Sequence, residues 1–146
     1  MKTYVFDASA LFGFLQQKPG ALKVGELLKE ATRGRAAIFM SAVNYGEVYG
    51  GILRGHGPER ARAAMSAVQP LPISLVDVTP QRALQAAEVK AKYKLYYLDG
   101  LAAALALEHK ATLVTSDSDF RRLGHGFPIT WLKPLTNCAA SPRVRL

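Results

Sequence analysis

A single cysteine, Cys138, leaves this chain without an internal disulfide or a zinc site built from thiolates. Its apolar stretches are short. None approaches the roughly 20 consecutive apolar residues that a membrane-crossing helix needs. The first run carries Asp7 inside it, so it does not read as a signal peptide, which needs a longer uncharged segment. Repeats and low-complexity tracts are absent. These absences fit a reducing cytoplasm. Acid is scarce too. Eleven Asp and Glu face nineteen Lys and Arg, for a formal net charge of +8. Such a charge favours polyanionic partners, nucleic acid first and anionic membrane second, with solubility alone as the plainer account.

What is present is the composition of an ordinary globular chain, 49% hydrophobic and 21% charged. Its 146 residues suffice for one domain with a real core. We expect that domain over residues 1–133 and a basic, flexible tail over residues 134–146.

Strand-like runs alternate with helical periodicity. Strands are expected at residues 3–6, 37–40, 73–78, 111–115 and 129–132, with helices between them. Ser41 and Thr79 read as helix N-caps, and Pro80 as a first helical residue. Gly34 reads as a helix stop, and residues 55–58 as a loop. Asp99 is placed to cap a helix ending near His109, and residues 120–123 form one helical turn. Gly46, Gly50 and Gly51 fall inside the helix that carries Glu47. Each costs about 1 kcal/mol against alanine, which implies close packing or ligand approach.

The alternation implies an α/β fold, a parallel sheet with helices on both faces. Ligands of such sheets bind beyond the strand C-termini, where strand order reverses. Asp7 and Asp117 each follow an apolar strand. Glu47 lies in the helix after the second strand, and Asp99 opens the helix before the fourth. All four acids can therefore reach one edge of the sheet.

Taken singly, each acid has a plainer role. Asp99 reads as a cap, Asp117 as the start of an Asx-turn, Asp119 as a cap for the turn at Phe120, and Glu47 as a solvated helix residue. The joint pattern carries more weight. Carboxylates held close together repel, by roughly 4 kcal/mol for a pair at about 4 Å and an effective dielectric near 20. They are relieved by protons or by a cation. Oxygen donors without nearby His or Cys select Mg²⁺ or Mn²⁺ over zinc. A carboxylate-held ion of that kind activates water and offsets charge on phosphorus. With a basic surface to gather the substrate, phosphodiester hydrolysis follows. His56, His109 and His125 are scattered and supply no acid–base pair for a metal-free reaction.

Four segments carry a family pattern in order: Val5-Phe-Asp-Ala-Ser-Ala-Leu11, Ser41 with Glu47-Val-Tyr-Gly-Gly-Ile52, Leu98-Asp-Gly-Leu-Ala-Ala-Ala-Leu-Ala106, and Ala111-Thr-Leu-Val-Thr-Ser-Asp-Ser-Asp-Phe120. The set resembles the PIN-domain nucleases, most closely the VapC-type toxins of bacterial and archaeal toxin–antitoxin pairs. The likeness spans about residues 3–132. It implies a sheet of about five strands in the order 3-2-1-4-5. It implies Asp7, Glu47, Asp99 and Asp117 as the acidic set around Mg²⁺ (or Mn²⁺), with Asp119 assisting. Ser9 and Thr115 match supporting hydroxyl positions, where local backbone bonding is an equal alternative. Gly100 departs from the pattern, which often has alanine there. The resemblance further implies an endoribonuclease, a homodimer, and inhibition by a small antitoxin encoded alongside. A housekeeping PIN nuclease, or a nucleic-acid-binding module with a vestigial site, is the alternative.

Arg121 and Arg122 follow the last acids and are candidates for substrate phosphates. Lys92 and Lys94 interleave with Tyr93, Tyr96 and Tyr97 just before Asp99. That pattern suits stacked bases and paired phosphates, or simply a solvated helix end.

Overall fold

The computed structural model describes residues 1–132. The expected tail, residues 134–146 with Cys138, lies outside the described residues. In chain order the elements are β1 (Lys2–Phe6), α1 (Ala8–Leu15), α2 (Ala21–Thr32), β2 (Ala36–Ser41), α3 (Ala42–His56) and α4 (Pro58–Val68). They continue with β3 (Ser74–Val76), α5 (Pro80–Tyr93), α6 (Tyr97–Glu108), β4 (Thr112–Thr115), a 3-10 helix (Ser118–Leu123) and β5 (Ile129–Trp131).

The five strands pair in parallel in the order β3-β2-β1-β4-β5. Successive side chains of a strand face opposite ways. Val5 and Leu113 pack with α5 and α6, while Phe6, Ile38 and Val114 pack with α1 and α2. Val5, Phe6, Leu113 and Val114 are fully buried, so the centre of the sheet is covered on both faces. A third cluster joins Leu11, Met40 and Val48 to α4 through Ala61 and Val68. Tyr45 and Tyr49 pack against that cluster, as helix-interface residues.

Local chemistry sets most helix ends. Ser41 Oγ accepts from Val43 N at 3.3 Å, and Thr79 Oγ1 accepts from Arg82 N at 3.2 Å. Gly34 follows α2 at φ +76°, a conformation glycine adopts at no steric cost. Three local expectations change. Helix α6 starts three residues early, with Tyr96 at the cap position, so Asp99 lies in the first turn instead of capping it. The 3-10 helix is capped by Asp117, not Asp119. The loop at 55–58 shrinks to Gly57 between α3 and α4.

The glycines also divide differently. A Cβ at Gly46 would meet nothing within 4 Å, so close packing does not explain it. A Cβ at Gly100 would sit 2.8 Å from the carbonyl oxygen of Ala86. That oxygen belongs to α5 and cannot turn aside, so Gly100 is what lets α5 and α6 approach. Gly100→Ala should therefore lower stability by about 1–3 kcal/mol despite alanine's better helix propensity. Gly46→Ala should raise it by up to about 1 kcal/mol. Urea unfolding midpoints read both, and a neutral Gly100→Ala would refute the packing argument.

Candidate metal centre

The strand order reverses between β1 and β4, which are neighbours with Phe6 opposite Val114. At their C-terminal ends the chain places Asp7, just after β1, and Thr115, the last residue of β4. Asp7 is 5% exposed and caps α1, accepting from Ala10 N at 3.0 Å. Ser9 Oγ donates to Asp7 Oδ1 at 2.7 Å, and Thr115 Oγ1 donates to Asp7 Oδ2. Each hydroxyl also accepts a backbone N–H, Ser9 from Ser116 at 3.0 Å and Thr115 from Asp117 at 2.9 Å. One carboxylate thus ties the end of β1 to the loop after β4. Ser9 and Thr115 each bond both the Asp7 carboxylate and a backbone N–H, which is local for Thr115 and 107 positions away for Ser9.

Burial drives the Asp7 carboxyl up to about 7, against the hydrogen bonds from Thr115, Ser9 and Ala10 that favour its anion. The charge of Asp117 adds to the rise, so Asp7 and Asp117 sense each other.

Three other carboxylates converge. One oxygen each from Asp99, Asp117 and Asp119 lies within 4.8 Å of the others, and all three residues are half-buried. The Asx-turn at Asp117, accepting from Asp119 N at 3.0 Å, brings the last two together. Helix α6 delivers Asp99 from its first turn, where an acid also complements the helix dipole. Glu47 comes from α3. Buried Asn44 donates to Glu47 Oε1 at 2.9 Å and to the carbonyl oxygen of Leu98 at 3.1 Å, so Glu47 is held beside the residue before Asp99. Asn44 was missed in the sequence. Its one signal is a polar residue three positions before Glu47 on an otherwise apolar helix face.

The structure therefore groups Asp99, Asp117 and Asp119 most tightly. Asp7 is linked through Thr115 and charge, and Glu47 through Asn44. Such a set fits a hard divalent cation. It offers only oxygen donors, and three carboxylates this close repel strongly unless protonated or neutralised. The histidines stand apart: His56 pairs with Gln16 at 3.3 Å, His109 stacks on Phe39, and His125 is exposed.

The candidate cations separate. Lys92 lies over the Tyr93 ring, 5.2 Å from its centroid. Arg122 Nη1 donates to the carbonyl oxygen of Lys94 at 2.7 Å. Arg121 is exposed on the 3-10 helix.

Comparison with known proteins adds the following. The family model described as PIN domain matches residues 4–126. A search of curated proteins finds no match. Among solved structures, VapBC2 from Rickettsia felis bound to a promoter DNA fragment is similar at TM-score 0.72 and 16% identity, over 90% of this chain and 99% of that one. A toxin–antitoxin complex from Klebsiella pneumoniae gives 0.64 and 22%, over 90% and 99%. VapC20 of Mycobacterium tuberculosis, a toxin that cleaves the sarcin-ricin loop, gives 0.66 and 16%, over 83% and 95%. At these identities the likeness carries the fold.

Proposed function

The chain belongs to the PIN-domain family, and from that premise we propose that it is a metal-dependent endoribonuclease acting as the toxin of a toxin–antitoxin pair. The convergence of Asp99, Asp117 and Asp119 beyond the central strands of a basic chain carries this reading. Asp99, Asp117 and Asp119 would hold Mg²⁺ or Mn²⁺, with Asp7 and Glu47 completing the acidic surround. When bound, the ion supplies Lewis acidity for activating water and offsetting charge on the phosphate. Asn44 keeps Glu47 against the start of α6, and Ser9 and Thr115 fix both oxygens of Asp7. The basic surface draws in the polyanion and is screened by salt.

The Klebsiella and Rickettsia structures support a small antitoxin as partner, and the mycobacterial toxin supports RNA as substrate. The homodimer is part of the same proposal. No helix among the described residues is long and apolar enough to cross a membrane.

Metal removal tests the reading. Purified protein should cut single-stranded RNA with Mg²⁺ or Mn²⁺, stop in excess EDTA, and resume when metal is restored. Cleavage that persists in EDTA would overturn the metal role. No cleavage with either metal would overturn the ribonuclease. Expression should also arrest growth, and a small protein encoded beside the chain should relieve the arrest.

A further inference from the structure

The end of α5, the start of α6 and the 3-10 helix meet around a groove of about 470 Å³, lined by Lys90, Ala91, Lys94, Leu95, Tyr96 and Arg122. Its size falls within the roughly 300–1,000 Å³ of small-ligand pockets, room for one nucleotide. Three of these six residues are cationic. Lys94 forms the corner in a left-handed conformation, φ 57° and ψ 45°, and Arg122 pins that corner by its 2.7 Å bond to the Lys94 carbonyl. The groove is therefore braced by the same 3-10 helix that carries Asp119. Lys90 and Lys94 are one turn apart and line the same groove. Tyr96 is 54% exposed and lines the groove. It sits at the cap position of α6, with Asp99 three residues on, roughly 5 Å along the helix axis. The groove thus shares the start of α6 and the 3-10 helix with the acidic cluster.

We propose that this groove seats an unpaired nucleotide of the RNA strand next to the bond that is cut, with its base on the Tyr96 ring and its phosphates against Lys90 and Lys94. The proposal rests on the ribonuclease reading above and goes beyond it by naming the groove and the residues that hold the strand. An exposed ring beside spaced cations matches a nucleotide, which offers a flat base and a charged phosphate together. It matches an acidic protein segment less well, because a carboxylate gains little from the face of an aromatic ring. A paired base cannot stack on the ring, so the groove selects loops and single strands. Lys92, turned onto Tyr93, takes no part.

Binding of a fluorescent, unstructured RNA in EDTA tests the groove without cleavage. Tyr96→Leu should weaken binding roughly ten-fold or more, while Tyr96→Phe, which keeps the ring, stays close to wild type. Lys90→Ser with Lys94→Asn should lower the slope of log affinity against log salt by about 1.4, since each single-strand phosphate contact contributes about 0.7. Asparagine tolerates the left-handed backbone at 94. An unchanged affinity in Tyr96→Leu, a duplex bound as tightly as the single strand, or displacement by polyglutamate as effective as by RNA would each overturn the proposal. Cleavage by the wild type in Mg²⁺ is scored separately. Cleavage alongside normal binding by the variants defeats the groove alone. Variant binding as expected with no wild-type cleavage defeats the ribonuclease and leaves the groove.

Discussion

Asp99→Asn should reduce RNA cleavage by at least about a hundred-fold while leaving the fold intact. A Lewis-acid ion supplies several kcal/mol of charge stabilisation to a phosphate reaction, and each 1.36 kcal/mol is a factor of ten in rate. Asparagine has nearly the shape of aspartate but loses the charge that holds the ion. In metal-free protein the same change removes one of three mutually repelling carboxylates. Thermal stability in EDTA should therefore stay level or rise, while Mn²⁺ affinity measured by calorimetry falls. That divergence separates a lost ligand from a damaged fold. Wild-type cleavage rates in Asp99→Asn would end the metal mechanism as drawn.

The second large effect concerns pH and Asp7. In the unfolded chain this carboxyl titrates near 3.8, and in the fold burial holds it at about 7. Between those values the native protein binds a proton that the unfolded chain has released. Stability of metal-free protein must then fall as pH rises through that window, and level off above it. The full loss is on the order of 4 kcal/mol. Glu108 works the other way, because Arg82 holds its carboxyl below its ordinary 4.5, but that acts at lower pH. Asp7→Asn should erase the Asp7 slope and be more stable than wild type near pH 8 in EDTA. The amide oxygen keeps the bonds from Ser9 and Ala10, so the Thr115 hydroxyl must turn to accept from the new NH₂, a modest cost. Urea unfolding of both proteins between pH 5 and 8 isolates the residue by difference. A wild-type stability that is flat or rising over that range would contradict a neutral, buried Asp7. Added Mg²⁺ should flatten the slope, since metal ligands bind in their deprotonated form.

Much of this site was legible because it follows local rules. Asp7 and Asp117 come after runs apolar enough to be strands buried on both faces, and parallel sheets bind ligands at that edge. Ser41 and Thr79 are caps that need only their own neighbours. Asp99 was misjudged as a cap for a tertiary reason. Tyr97 Oη donates to the Ala83 carbonyl at 3.0 Å, and Asn44 donates to the Leu98 carbonyl. Those contacts accompany a turn that begins ahead of Asp99. Asn44 is only half legible in sequence: Glu47 is one helical turn away, but its second partner, Leu98, is fifty-four positions away.

The sequence alone determined the class of fold, the buried strands and which acids stand at their ends, because strand periodicity and caps depend on near neighbours. Only the tertiary structure decided how those acids are shared out. It put Asp119 beside Asp99 and Asp117, raised the Asp7 carboxyl to about 7 by burial, and braced Glu47 through Asn44. It also laid Lys92 over the Tyr93 ring and gave Gly100 its purpose in the approach of α5 to α6. Distances between chain segments and the dielectric around a carboxyl are properties of packing, and no local pattern encodes them.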